Sequence, residues 1–337
     1  MNVCFHITKG GTVVRVSFVV CLVLVLVSLI GCGKANVLSG DGDDLKIDTL
    51  KVSFVGDILL DRGVRKFIET RGADSLFAPE IDSLFAVSNI VIGNLECPAT
   101  SIISPVNKRF IFRAEPEWLQ VLYEHGITHL NMANNHTMDQ GRLGLADTER
   151  QIREHGMIPL GYGTSIVESI APKLIAETPR KVYLITSLRV PSENWAYLDS
   201  VPCVSESEIS VIESQVDSLK RLDSKCFVIV MLHWGTEHVE TPSYYQAHNA
   251  RCMVEAGADC IVGHHPHTLQ TSEMYKGVPI FYSIGNFIFD LTKPINTRAA
   301  VVTASITADT AWFSLIPISI ENCVPRLTAN GDDGVGG

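Results

Sequence analysis

Five apolar stretches of this chain each end in side chains that can bind a metal or move a proton. Residues 52–55 run into Gly56-Asp57, and 90–92 into Gly93-Asn94-Leu95-Glu96. Residues 127–132 lead to Ala133-Asn134-Asn135-His136, with Asp139 and Gly141 close behind. Residues 228–232 end in His233, and 260–262 run into Gly263-His264-His265-Pro266-His267. Carboxylate, amide and imidazole donors together suit zinc, manganese or iron better than calcium, which takes oxygen ligands. His265 and His267, one residue apart, are expected to set both rings on one side of an extended segment stiffened by Pro266. Two ions ~3.5–4 Å apart in such a site clamp a phosphoryl group and activate a bridging water.

Each residue alone has a plainer use. Asn94 and Asn135 suit turns that tolerate left-handed geometry, and Asp57 suits a helix N-cap. His125, His129, His155 and His248 lie in helices or just after them and read as ordinary hydrogen-bonded or surface groups. The fivefold repetition is what points to a site, because open α/β sheets bind ligands beyond the carboxyl ends of their parallel strands.

The elements that must carry these ends follow from periodicity. Strands are expected over 50–56, 89–95, 127–132, 158–160, 181–187, 226–232, 258–262 and 279–284. Helices are expected over 61–71, 79–88, from Pro116 to Gly126, and over 142–155, 207–222 and 244–255. Residues 98–113 read as a loop with a basic patch, Lys108, Arg109 and Arg113, threaded by aromatics. The stretch 189–205 reads as a second loop, with Trp195 and Tyr197 as a lid. Residues 299–306 and 311–320 alternate like an antiparallel pair. Repeated helix–glycine–strand units imply βαβ crossovers, a mostly parallel sheet and an α/β class, in one domain over 50–327.

Residues 1–32 hold Lys9 and Arg15 and no acid, ahead of an apolar run over 16–30 that ends in Leu29-Ile30-Gly31-Cys32. This resembles a bacterial lipobox, so 1–32 is expected to be a lipoprotein signal with Cys32 as the lipidated residue. The body is then exported and membrane-anchored, with 33–49 as a flexible tether and 328–337 as a disordered tail. The chain carries −10 net charge. An acidic body argues against nucleic acid as its partner. Six cysteines remain after the leader, with no zinc-type spacing and no disulfide framework; most read as buried free thiols.

Together these blocks, with His233-Trp234-Gly235 and Glu237, and Tyr282-Ser283-Ile284-Gly285-Asn286-Phe287, resemble the CapA family of bacterial capsule-synthesis proteins. That family is associated with poly-γ-glutamate and belongs to the calcineurin-like metallophosphoesterase superfamily. The blocks come in family order over about 55–290. The resemblance implies a four-layer α/β/β/α sandwich of the metallophosphoesterase type, two mixed sheets face to face with helices outside. It implies Asp57, Glu96, Asn135, His233, His265 and His267 as ligands of divalent metal, two ions of Mn, Fe or Zn. His136, beside Asn135, takes the place of the general acid that protonates the leaving oxygen. Asn94, Lys108, Arg109 and Arg113 are the candidate substrate contacts. The expected function is an envelope lipoprotein acting in capsule-polymer synthesis or export, with a metal-dependent hydrolase site. Its expected partners are the membrane, other capsule-synthesis proteins and an anionic polymer. The alternative is a non-catalytic component that holds the polymer. Two departures stand out: Asp57 is followed by Ile58 and Leu59 where phosphoesterases carry Asp-x-His, and Glu96 sits in an Asn-Leu-Glu context where they carry Gly-Asp. Either leaves open a one-metal or metal-free protein.

Overall fold

The first strand among the described residues is the nine-residue β1 (Leu50–Ile58), in which residues 52–58 are fully buried. It lies parallel to β2 (Ile90–Leu95), which is followed outward by β3 (His129–Asn131) and β4 (Ile158–Leu160). Four helices make the crossovers: α1 (Arg62–Arg71), α2 (Pro79–Phe85), α3 (Leu119–Glu124) and α4 (Gly141–Glu154). Asp61 caps α1 through its side chain, and Pro79 opens α2, so both helices start where the sequence supplies a stop for the preceding loop. The computed structural model describes residues 48–191, 198 and 200–328. The expected lipoprotein signal with Cys32, the expected tether up to residue 47, the expected lid residues Trp195 and Tyr197, and the expected tail from residue 329 lie outside the described residues.

After the short β5 (Tyr162–Gly163) and the one-turn α5 (Ile166–Ser169), the chain enters a second sheet with β6 (Lys173–Ala176) and β7 (Val182–Leu188). β8 (Cys203–Val204) returns to pair with β5. Helix α6 (Ile209–Leu222) leads to β9 (Phe227–His233), and α7 (Tyr244–Glu255) to β10 (Cys260–His264). A capping box between Ser243 and Gln246 starts α7. The hairpin β11 (Ser272–Tyr275) and β12 (Val278–Phe281) completes the second sheet, in the order β11-β12-β10-β9-β7-β6. The chain then returns to the first sheet through β13 (Asn286–Ile288) and the one-turn α8 (Pro294–Thr297). It ends in the antiparallel β14 (Arg298–Ile306), β15 (Ala311–Glu321) and β16 (Val324–Leu327). That sheet runs β16-β15-β14-β1-β2-β3-β4, with β13 parallel to β1.

Three apolar clusters show how the layers stack. Val52, Phe54 and Ile92 of the first sheet meet Ile229, Met231 and Val262 of the second, so the two sheets pack face to face. On the other side of the first sheet, Val55 and Val91 meet Val64 of α1, Ile81 of α2 and Leu122 of α3. Val228, Val230 and Ile261 of the second sheet meet Ile212 and Val216 of α6 and Met253 of α7. The alternation of Val52 and Phe54 with Val55 follows from strand pleating. Each large side chain so buried contributes ~1.5–3 kcal/mol. The result is the four-layer α/β/β/α sandwich.

Two expectations drawn from periodicity need correcting. The parallel strands do not form one sheet: β1 to β4 lie in one, and β7, β9, β10 and β12 in the other. Strand pattern reports that both faces are buried, not which sheet buries them. The expected strand over 279–284 ends at Phe281, and the chain bends so that Asn286 pairs with Asp57. This close approach needs glycine: a Cβ on Gly56 would lie 2.1 Å from the Gly285 carbonyl oxygen, and one on Gly263 would lie 1.9 Å from that of Tyr282.

Candidate metal centre

The carboxyl ends of β1, β2, β9 and β10 converge, and their side chains meet at the top of the sandwich. His233, the last residue of β9, turns its Nε2 to a point shared by three other donors. Asn135 Oδ1 is 2.8 Å away, His265 Nδ1 3.1 Å and Glu96 Oε1 3.6 Å. On the other side of Glu96, His267 Nε2 lies 3.6 Å from Glu96 Oε1, and His267 Nδ1 lies 3.3 Å from Asp57 Oδ2. Three sets of donor atoms are each close enough to share one ion: Glu96/His233/His265, Asp57/Glu96/His267 and Glu237/His265/His267. Glu96 belongs to the first two sets and so stands between them.

Glu96 supplies the test of fit. Its carboxylate is fully buried and neither oxygen has a hydrogen-bond partner. A buried carboxylate without a donor costs several kcal/mol, and native proteins keep such a group where a cation satisfies it. Around it stand three imidazoles and Asp57, a donor set that suits a borderline transition metal. The residues present therefore fit a divalent metal, with Glu96 as the shared ligand.

The same crowding shifts the titrations. Burial raises Glu96 well above the ordinary carboxylate range. Burial lowers His233, and lowers His265 to about 4, with neighbouring imidazoles adding to both. These two rings are thus neutral and ready to donate a lone pair. His267 moves the other way: burial opposes its charge, but Glu96 and Asp57 outweigh burial and lift it to about 9. Without a metal, a proton on His267 takes the place of part of the cation's charge.

The loop after β10 is not the extended segment expected from its sequence. His265 has φ +96° and His267 φ +54°, both in the left-handed region. Non-glycine residues held there store ~1–3 kcal/mol each and persist only where the surroundings hold them. The ties are visible. The His265 N–H donates to Asp57 Oδ2 at 3.3 Å, and the His238 N–H to the Pro266 carbonyl at 2.8 Å. Asn286 and Asn296 both donate side-chain N–H groups to the His267 carbonyl. The two rings are brought together by this kinked turn, with centroids 6.0 Å apart.

His136 stands beside the metal centre. Its Nδ1 is bound to Asp139 Oδ2 at 2.8 Å, and Phe112 packs on its ring at 4.3 Å between centroids. The ring lines a cavity of about 310 Å³ together with Arg62, Phe112, Glu237, His238 and His267. With Nδ1 engaged, Nε2 is the nitrogen left for a ligand in that cavity. Burial lowers the pKa of His136, although the Asp139 hydrogen bond and charge oppose the shift.

Three of the four expected substrate contacts have their polar groups engaged within the protein, and Arg109 stacks on Phe110, which lines the cavity. Asn94 is fully buried; its Nδ2 donates to Asp57 Oδ1 at 2.8 Å and lies 3.2 Å from His233 Nδ1. It orients two of the candidate donors, the position that outer-shell partners take in metal sites. Lys108 buries its ammonium between Asp139 Oδ1 at 2.9 Å and the Asn135 carbonyl at 2.6 Å. Arg113 gives its guanidinium to Glu115 and to the Thr100 carbonyl. Arg109 is exposed, with its guanidinium over the Phe110 ring. Lys108 thus holds the turn that carries Asn135 and His136. Lys108→Met is expected to destabilise the fold by ~3–5 kcal/mol, because it strips a cation from the buried Asp139. A urea melt checks this, and an unchanged midpoint would put the ammonium outside the fold's support.

Sequence reasoning passed over Arg62 and His238. Arg62 bridges to Asp290 and packs its guanidinium over Phe112 and Phe289, at the rim of the cavity. Its φ of +55°, at the first position of α1, leaves no trace in sequence pattern. Glu237 was visible in the His233 block but carried no assigned role. Cys97, though next to Glu96, is buried in the helix-side core and accepts a hydrogen bond from the Leu60 N–H. The six described cysteines are all free thiols.

Face-to-face mixed sheets flanked by helices, with His, Asn and carboxylate side chains gathered at their strand ends, are the fold of the metallophosphoesterase type. The sequence profile of the bacterial capsule synthesis protein PGA_cap family matches residues 51–291. The chain is 35% identical over 284 residues to the PGA biosynthesis protein CapA of Bacillus subtilis (strain 168), covering 82% of this chain and 73% of that one. It is 30% identical over 298 residues to the capsule biosynthesis protein CapA of Bacillus anthracis, covering 85% and 71%. Among solved structures, the NAD nucleotidase NadN of Haemophilus influenzae aligns with a TM-score of 0.47 at 11% identity, over 84% of this chain and 60% of that one. The chain belongs to the bacterial capsule synthesis protein PGA_cap family.

Proposed function

We propose that this chain is a metal-dependent hydrolase of phosphoester-type bonds, working at the cell envelope in the synthesis or export of an anionic capsule polymer. The observation that carries the proposal is Glu96, a buried carboxylate with no hydrogen-bond partner, set between two groups of metal-capable donors. Asp57, Glu96 and His267 would hold one ion, and Glu96, Asn135, His233 and His265 a second. Bound divalent metal supplies Lewis-acid polarisation of a phosphoryl oxygen and a lowered water pKa.

The protein's own groups do the rest. Asn94 fixes Asp57 and His233. Asp139 accepts from Nδ1 of His136, so the ring presents Nε2 to the cavity and its cationic form is stabilised. In that form His136 gives a proton to the leaving oxygen. Burial keeps its pKa below the ordinary imidazole value, so the donor form, and turnover with it, declines as pH rises. Phe112, Phe289 and Leu291 exclude water around the reacting bond, and Arg62 sets positive charge at the rim.

The setting follows the family and the leader. The Bacillus relatives carry names of PGA and capsule biosynthesis. A lipid on Cys32 would tether the domain to the membrane. No helix among the described residues is long and apolar enough to cross a membrane. The test is hydrolysis of bis(p-nitrophenyl) phosphate and of phosphomonoesters by the full chain loaded with Mn, Fe or Zn. Turnover that a chelator removes is expected. A loaded protein inert to all of them would leave the non-catalytic polymer holder as the reading.

A further inference from the structure

We infer that Glu237 is a ligand of the metal centre and supplies the donor that the first block lacks. This rests on the reading of the centre as metal-binding. Ile58 and Leu59 follow Asp57, and both are fully buried in the helix-side core with Val64, Ile81 and Leu122. Neither faces the cluster, so β1 delivers Asp57 alone. The Asp57/Glu96/His267 set then lacks the histidine that an Asp-x-His block would add.

Glu237 comes from the opposite side of the centre. A carboxylate oxygen of Glu237 and one nitrogen each of His265 and His267 lie within 4.8 Å of one another. His267 belongs also to the Asp57/Glu96 set and His265 to the Glu96/His233 set, so Glu237 reaches the two imidazoles that the sets do not share. The segment that carries it is tied down on both sides. Trp234 Nε1 donates to the Tyr282 carbonyl at 2.9 Å. His238, held at φ +62°, donates its backbone N–H to Pro266, between the two histidines. Among the described residues, the one ion-pair partner of Glu237 is its neighbour His238, at 3.8 Å. A carboxylate beside two imidazoles, with no lysine or arginine paired to it among the described residues, is a donor set that can take a cation.

Exposure adds a consequence. Asp57 and Glu96 are fully buried, whereas the Glu237 side chain is 49% exposed and lines the cavity with His136. Glu237 is thus a donor that solvent in the cavity reaches directly.

The test is calorimetric titration of Mn²⁺ into the chelator-stripped full chain, with metal content measured after desalting. Wild type is expected to take two equivalents. Glu237→Gln is expected to keep one and to weaken the other by more than ~100-fold, beyond the ~10–100-fold typical of an outer-shell partner. Its metal-free melting temperature stays that of wild type, since Glu237 supports no core contact. Glu240→Gln, a carboxylate three residues on and paired with Arg298, serves as the charge control and keeps both equivalents. Two equivalents at unchanged affinity in Glu237→Gln would overturn the assignment and leave the metal centre standing. Equal weakening in Glu240→Gln would overturn it as a general charge effect. Absence of binding in wild type would bring down both.

Discussion

His136→Gln is expected to lower turnover by ~10²–10⁴-fold, the usual worth of a positioned general acid, while metal content stays at the wild-type level. Glutamine keeps a polar group within reach of Asp139 and fills much of the space against Phe112. Folding is therefore spared, and the loss falls on proton delivery. Among the described residues, His136 lies outside the sets of donors close enough to share an ion, so its removal is expected to take no ligand away. The pH profile separates this role from a structural one. In wild type, turnover declines on the alkaline side as His136 loses its proton, and in the variant that limb disappears. Chromogenic substrates with more acidic leaving groups need less protonation and are expected to suffer least. Full turnover in His136→Gln would move the proton donor elsewhere.

Glu96→Gln is expected to split stability from metal binding. Without metal, burial raises Glu96 well above the ordinary carboxylate range, so its acid form stands beside the Asp57–His267 ion pair. Glutamine keeps that neutral state and the size of the side chain, so the metal-free variant is expected to be no less stable than wild type. Saturating metal raises the melting temperature of wild type, since a ligand at 100 times its Kd contributes ~2.7 kcal/mol. The variant gains nothing, because Glu96 is the donor common to both inner sets. Thermal melts with chelator and with Mn²⁺ check both halves. A metal-free variant less stable than wild type, with metal binding intact, would mean that Glu96 is held for packing.

Metal uptake is also expected to depend on pH in a particular direction. His267 is raised to about 9, so at neutral pH it must lose a proton before it can ligate. Apparent affinity therefore climbs as pH rises towards that value and levels off above it. Burial favours the protonated form of Glu96 as well, so binding at pH 7 releases protons, read by calorimetry in buffers of different ionisation heat. Affinity flat from pH 6 to 9 would show that His267 is not a ligand.

Much of the centre was legible because its residues sit at the ends of apolar runs. Asp57 and His233 lie at the ends of β1 and β9, Glu96 and His265 directly follow β2 and β10, and a run of buried apolar residues marks a strand end sharply. What failed to show were features that depend on tertiary ties. The left-handed turn of His265 and His267 is set by Asp57, His238, Asn286 and Asn296, which lie far from it in sequence. Lys108 and Arg113 look like a basic patch because sequence records their charge and not their partners. Folding hands them to Asp139 and Glu115. The division into two sheets was likewise unreadable from periodicity, since β2 and β9 are buried on both faces whichever sheet holds them. It was the order of the motif blocks, shared with the capsule-synthesis family, that implied the four layers.

The most direct test of the central claim is the metal content of the full chain purified without chelator. Two equivalents of Mn, Fe or Zn are expected, falling to one or none in Asp57→Ala and in His233→Ala, with the fold of both variants intact by circular dichroism. Wild type without stoichiometric metal, even after loading, would contradict the account.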